Sequence, residues 1–311
     1  MKGADPLVSV IIPVFNGQAF IVETVRSIAQ QSYCALEIVV VNDGSQDGTG
    51  KCLEALRPIL DDWVPQRLFK IINQPNAGEA AAVNTGWAAA QGEFAAIVSA
   101  DDPQPADWLS GCVAALLQHP EAAAAYPDWV VIGEDGRVLQ EVKLPDFSQD
   151  ELIAGARCLP GPGTLIRRRL APAGALRRRD LRFGSDYESW LRLSLIAPFV
   201  HATSVKAQWR EHAGSTSIQG NHCDRAKEYT QILRSFFDRE DLPGRVRAMR
   251  SAAMASVHFL AARITWRVNP AVATRHLLAW AAYRSADLMT GQKWRPERFE
   301  GRNRSAPPSG H

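Results

Sequence analysis

The chain has no long hydrophobic run. Its 311 residues are 46% hydrophobic, enough to bury a full core. Yet no apolar stretch reaches the roughly 18–20 residues that span a bilayer; the longest, near Ser251–Ala262 and Leu193–Val205, stop well short. Cysteine is scarce and scattered. Cys34, Cys52, Cys112, Cys158 and Cys223 form neither a CxxC pair nor the Cys/His spacing of a zinc site, which points to a reduced, cytoplasmic chain without a disulfide framework. Met1–Pro6 carries no apolar segment of a secretory leader. An excess of one charge is missing too. The 35 Lys and Arg against 33 Asp and Glu leave a net charge of +2, which does not mark a nucleic-acid binder. No internal repeat is visible.

What is present is alternation. Val8–Val14, Glu37–Val41, Phe69–Ile72 and Phe94–Ser99 read as strands, separated by helical segments at Gln18–Gln31, Thr49–Leu60 and Ala80–Ala90. Such a succession predicts a mostly parallel sheet with helices on both faces. In such sheets ligands bind beyond the carboxyl ends of the strands. Polar clusters fall at those ends: Phe15-Asn16-Gly17, Asn42 to Ser45, Asn73 to Gly78, and Ser99 to Asp102. Further on, Tyr126–Ile132 and Val138–Val142 read as a hairpin, and Thr164–Ile166 as a short strand. Tyr187–Ala197 reads as a helix, Phe199–Val205 and Ala207–His212 as two short strands, and Cys223 to about Thr290 as helical. Trp63, Trp87, Trp108 and Trp129 are expected to pack in the core.

The sharpest single feature is the run Phe94 to Ala100, apolar but for Ser99, which ends in Asp101-Asp102. Adjacent carboxylates repel unless a cation stands between them, and Mg²⁺ or Mn²⁺ held this way commonly also binds substrate phosphates. The alternative is an N-cap for the helix around Trp108. Asp43, in Asn42-Asp43-Gly44, is either a turn aspartate or an acceptor for a ring N–H.

Five segments, taken in order, resemble glycosyltransferase family 2, inverting nucleotide-sugar transferases with the GT-A fold. They are Ile12 to Asn16, Val41 to Thr49, Asn76-Ala77-Gly78 with Asn84-Thr85-Gly86, Ala100-Asp101-Asp102, and Gly184 to Leu193, continued by Trp209-Arg210-Glu211-His212. The resemblance covers about residues 7–220. It implies a catalytic domain at 1–220, divided into a nucleotide-sugar-binding half (1–102) and an acceptor half (103–220). A helical region (221–290) and a disordered tail (291–311) would follow.

Residue by residue, the resemblance places Asp43 on the N3–H of uracil or thymine, with Pro13, Phe15 and Asn16 around the base. Ser99 and Ala100 fall on the nucleotide sugar, and Asn76 and Gly78 shape a donor loop. Asp101, Asp102 and His212 hold Mn²⁺ or Mg²⁺, and Arg210 lies near the diphosphate. Asp186 is the base that deprotonates the acceptor hydroxyl, with Glu188 as second choice; the alternative for Asp186 is a helix cap. Three departures stand out. Ser99 replaces a usual aspartate, Val83 a usual basic residue, and Ser185 the usual first acid before Asp186.

The reading is a metal-dependent glycosyltransferase acting from a UDP- or dTDP-sugar on a hydroxyl of a cell-surface glycan or lipid-linked saccharide. The alternatives are a non-catalytic sugar-nucleotide-binding scaffold and a sugar nucleotidyltransferase. The latter needs a basic, glycine-rich triphosphate loop that Pro13–Gly17 lacks. Apolar and aromatic residues among the arginines of the last third suit either packing, as in a homodimer, or peripheral contact with a membrane.

Overall fold

The structure, a computed structural model, describes residues 5–63, 68–171, 175–215 and 221–290. The tail expected to be disordered lies outside the described residues. In chain order come β1 (Val8–Val14), α1 (Ile21–Ala29), β2 (Leu36–Asp43), α2 (Thr49–Trp63), β3 (Leu68–Gln74), α3 (Glu79–Ala89) and β4 (Phe94–Ile97). The four strands run parallel in the order β3-β2-β1-β4. Next are α4 (Trp108–Gln118), β5 (Ala124–Ile132), β6 (Val138–Val142), α5 (Gln149–Ile153), β7 (Leu165–Arg167), α6 (Ser185–Ser194) and β8 (Phe199–Arg210). The antiparallel strand β7 joins β4 to β5, β6 completes the expected hairpin, and β8 runs parallel to β5. The helices α7 (His222–Phe237), α8 (Gly244–Ala248), α9 (Arg250–Thr265) and α10 (Pro270–Thr290) follow.

The central strands are apolar at almost every position because both faces of the sheet are covered. Ile11, Val39, Val41 and Ala95 face a core shared with α3, α6, α7 and α9. Their neighbours Val10, Ile12, Ile38, Val40, Phe94 and Ala96 face the other core, with α1, α2 and α4. The helices after residue 220 thus extend the first core and do not enclose one of their own. Gly86 sets the spacing of α3 on the sheet: a Cβ there would stand 2.4 Å from Ile11 Cγ2.

One expectation is corrected. Phe199–Val205 and Ala207–His212 are not two strands but the single β8. Its register against β5 jumps from Pro127–Ala202 to Asp128–Lys206, leaving residues 203–205 as a bulge. Val205 from that bulge is buried against α4, where Gly111 makes room for it. The apparent break in the sequence is this bulge. It lets β8 run on to the carboxyl ends of β1 and β4, where Arg210 arrives.

Among the described residues no helix is long and apolar enough to cross a membrane. Phe259 of α9, Leu278 of α10, and Trp266 and Val268 between the two helices are exposed.

Candidate active site

The loops after β1 and β2 are tied together. Asn16 has φ 53°, a left-handed conformation that asparagine tolerates. Its N–H donates to Ser45 Oγ at 3.0 Å, and its Oδ1 accepts from Gln46 N–H at 2.8 Å. The Asn16 side chain therefore braces a loop. Pro13 is buried in β1 opposite Val41, while Phe15, just beyond the strand, is 50% exposed. Asp43 closes β2. Its Oδ1 accepts from Gln74 Nε2 at 2.7 Å and Ala77 N–H at 2.9 Å, and its Oδ2 from Gly78 N–H at 2.8 Å. One carboxylate thus folds the 74–78 segment, with Gly78 at φ 88°. Asn76 is exposed, and its backbone lies so near Gly44 that a Cβ there would come within 2.7 Å of Asn76 N.

The end of β8 meets the loop after β4, and the two aspartates divide. Asp101 points outward, with His212 Nε2 2.8 Å from its Oδ2. Gly214 N–H reaches His212 Nδ1 at 3.2 Å, which puts the imidazole proton on Nε2, facing Asp101. Asp102 points inward. It is 4% exposed, and its Oδ1 accepts from Arg210 N–H at 2.7 Å. Burial, then the Asp101 charge, push its carboxyl well above the usual carboxylate range, against the pull of the Arg210 N–H and the Ser99 hydroxyl. In this arrangement Asp102 braces the loop through Arg210, and Asp101 is the carboxylate turned outward. Asp102 does not cap α4, since Asp107 precedes that helix.

Arg210 packs behind Asp101 and Asp102. It is 1% exposed. Its Nε donates to Asp101 C=O at 2.9 Å, Nη1 to Glu134 C=O at 2.8 Å and Gly133 C=O at 3.3 Å, and Nη2 to Glu23 Oε2 at 2.8 Å. The guanidinium also lies over the Phe20 ring, whose other neighbour is His212 at 4.8 Å between centroids. With each of its nitrogens on a protein acceptor, Arg210 acts as a clamp behind the acidic loop. Ser99 is exposed beside Asp102, and Ala100 is half-buried opposite Gly17.

Asp186 lies in the first turn of α6. It does not cap the helix in the ordinary way, because Glu228 of α7 accepts from the N–H groups of Arg182, Phe183 and Gly184. Asp186 Oδ1 accepts only from Tyr187 N–H, at 2.7 Å, among the described contacts. Glu188, the second choice, is turned away: it is buried and pairs with Arg192 Nε at 2.9 and 3.0 Å. A carboxylate the sequence did not single out stands nearer. Glu79 opens α3 and still reaches solvent. The protein around it, then Asp186 and Asp101, push its carboxyl above the usual range, while Arg177 pulls it down. Glu79 therefore feels the charges of both Asp101 and Asp186, which places the three carboxylates in one neighbourhood. The sequence signal for Glu79 was its place one residue after Gly78, at the start of a helix.

The sequence profile described as Glycosyl transferase family 2 matches residues 9–172, more than half of the 311-residue chain. The chain belongs to glycosyltransferase family 2. An uncharacterized glycosyltransferase of Haemophilus influenzae is 29% identical to it over 232 residues, 70% of this chain and 69% of that one. TuaG of Bacillus subtilis, a putative teichuronic acid biosynthesis glycosyltransferase, is 28% identical over 197 residues, 62% of this chain and 74% of that one. The mannosyltransferase PcManGT from Pyrobaculum calidifontis, solved with GDP-Man and Mn²⁺, superposes with a TM-score of 0.60 over 93% of this chain and 80% of that one. Its identity is 19%, so the likeness is one of fold, and the fold is GT-A. The enzyme is a glycosyltransferase, which sets aside the nucleotidyltransferase alternative.

Does this glycosyltransferase have the donors for the expected cation? Among the described residues no group of three His, Cys, Asp or Glu side chains could hold a metal ion unaided. Asp101 supplies a carboxylate oxygen, and His212 Nε2, whose proton faces Asp101, would supply a nitrogen once the ion takes that proton's place. That set fits a divalent ion whose remaining positions are filled by phosphate oxygens and water.

Proposed function

We propose that this glycosyltransferase moves a sugar, with inversion, from a nucleoside diphosphate donor to a hydroxyl of a cell-surface glycan or lipid-linked saccharide. Uridine or thymidine diphosphate is favoured as carrier, and Mn²⁺ or Mg²⁺ is required. What supports the proposal is the contact of Asp101 with His212 at the end of β8, with the charges of Asp101 and Asp186 both acting on Glu79. The teichuronic acid assignment of a relative and the GDP-Man and Mn²⁺ of a structural neighbour are consistent with it.

In this reading Phe15 stacks on the base and Asp43 receives its N3–H, while the 74–78 segment that Asp43 folds closes beside it. Asp101 and His212 hold the cation, which supplies charge neutralisation for the departing diphosphate. Asp186 accepts the proton of the acceptor hydroxyl as that oxygen attacks the anomeric carbon from the face opposite the leaving group. Asp102 and Arg210 fix the acidic loop, so that Asp101 presents its carboxylate without reorganisation. The exposed Phe259, Trp266 and Leu278 form the surface on which a lipid-linked acceptor or a second copy would approach.

The test is Asp186→Asn. Donor binding by calorimetry should match the wild type, while transfer from radiolabelled nucleotide sugars to a glycan and lipid extract disappears. Full transfer by the variant would remove Asp186 from the mechanism.

A further inference from the structure

Arg177 carries a buried cation with an unmet donor. The residue is 8% exposed, and its Nη1 is sealed from solvent without a hydrogen-bond partner. Among the described residues no carboxylate pairs with it. Its position is nevertheless fixed. Its N–H donates to Asn84 Oδ1 and its C=O accepts from Asn84 Nδ2, both at 2.8 Å, and its Cζ lies 5.5 Å from the Trp190 ring centroid.

Other buried arginines are handled differently. Arg210 places all three guanidinium nitrogens on protein acceptors. Arg192 reaches Glu188 and Leu176 C=O, and Arg167 reaches Ala122 C=O and Leu116 C=O. Arg168 bonds Gly92 C=O and Trp87 C=O and leaves only its Nε unmet. Arg177 differs in that none of its guanidinium nitrogens has a protein acceptor among the described residues. A buried guanidinium nitrogen without an acceptor costs stability; the nearby Glu79 charge offsets part of this, and an oxyanion from outside would complete the fork. The location says what arrives. The Arg177 charge acts on the Glu79 carboxyl and the Cys158 thiol, and Asp186 acts on the same two groups. Arg177 thus bridges α3, which Glu79 opens, and α6, which bears Asp186: it bonds Asn84 of the first and lies over Trp190 of the second.

We infer that Arg177 is an oxyanion subsite beside Glu79 and Asp186: its planar fork, held against Trp190, receives a negatively charged group of a substrate. That group is a phosphate of the donor or the carboxylate of an acidic sugar, both of which match a guanidinium fork. The source of the oxyanion rests on the glycosyl-transfer reading; the subsite does not.

The experiment measures calorimetric affinities of the full chain, Arg177→Gln and Arg177→Lys for pyrophosphate, glucuronate, and UDP-glucose and UDP-glucuronate with MnCl₂. Thermal midpoints without ligand are recorded for all three proteins. The wild type should bind at least one oxyanion, with a loss of about tenfold or more in Arg177→Gln and partial recovery in Arg177→Lys. The ligand-free midpoint of Arg177→Gln should be unchanged or higher, because an unpaired charge has gone. Loss across pyrophosphate and both nucleotide sugars assigns the subsite to the diphosphate; loss confined to glucuronate and UDP-glucuronate assigns it to a sugar carboxylate. Binding of a bare oxyanion through Arg177 with no binding of either nucleotide sugar keeps the subsite and counts against the donor reading. Equal affinities in wild type and variants, no binding of any probe by the wild type, or lowered midpoints with unchanged affinities would overturn the inference.

Discussion

Glu228 holds the backbone in front of Asp186. Its Oε1 accepts from Phe183 N–H at 2.6 Å and Gly184 N–H at 2.7 Å, and its Oε2 from Arg182 N–H at 2.9 Å. A residue of α7, beyond the region of family resemblance, thus occupies the amino end of the helix that carries the proposed base. Glu228→Gln keeps the size but turns an NH₂ toward those N–H groups. We expect a stability loss of about 1–3 kcal/mol and a fall in turnover of roughly tenfold, with donor affinity unchanged. Parallel measurement of transfer rate and nucleotide binding checks this; unchanged turnover would contradict it.

Asp43→Asn replaces a carboxylate serving three donors by a group with one acceptor oxygen. The 74–78 segment should loosen, seen as faster hydrogen exchange at the Ala77 and Gly78 amides. Nucleotide affinity should fall by about tenfold or more.

Arg210→Lys tests the clamp. A lysine cannot reach the acceptors on Asp101, Gly133, Glu134 and Glu23 at once, so thermal unfolding should show a loss on the order of 3–5 kcal/mol. A variant of wild-type stability with weakened diphosphate binding would return Arg210 to the phosphates.

Part of this site was legible in the sequence and part was not. The apolar run ending in Asp101-Asp102 locates the acidic loop because a doubly buried strand must be apolar throughout. Which aspartate faces outward depends on β8, whose Arg210 N–H binds Asp102 across 108 positions of sequence. No local pattern reports that distance. The same holds for Glu188, whose acidity suggested chemistry until Arg192, one helical turn on, engaged it, and for Glu228, which resembles any other acid on an amphipathic helix. The break read between Val205 and Ala207 is a bulge at 203–205 inside one strand, because a bulge and a break look alike in sequence.

Acid should loosen the helices α9 and α10. His258 Nδ1 lies 2.8 Å from His276 Nδ1, its ring stacks on Tyr283, and its Nε2 is buried without a partner. Burial, then His276 and Arg234, push its pKa down to about 4 from 6.5, and His276 is lowered in the same direction. The folded state therefore binds this proton less readily than the unfolded chain. Stability is fully present above about pH 6.5 and is lost as pH falls toward about 4, by about 3 kcal/mol at most. Thermal midpoints across that range should fall in the wild type and fall less in His258→Phe, which keeps the stack and removes the titration.

The most direct measurement of the central claim is calorimetric titration of the protein with UDP, dTDP and GDP, each with MnCl₂ and again with EDTA, in wild type and Asp101→Asn. The account predicts that the wild type binds a uridine or thymidine diphosphate with Mn²⁺, and that binding weakens sharply with EDTA or with Asp101→Asn. Binding indifferent to metal and to Asp101, or no binding of any of the three, would contradict it.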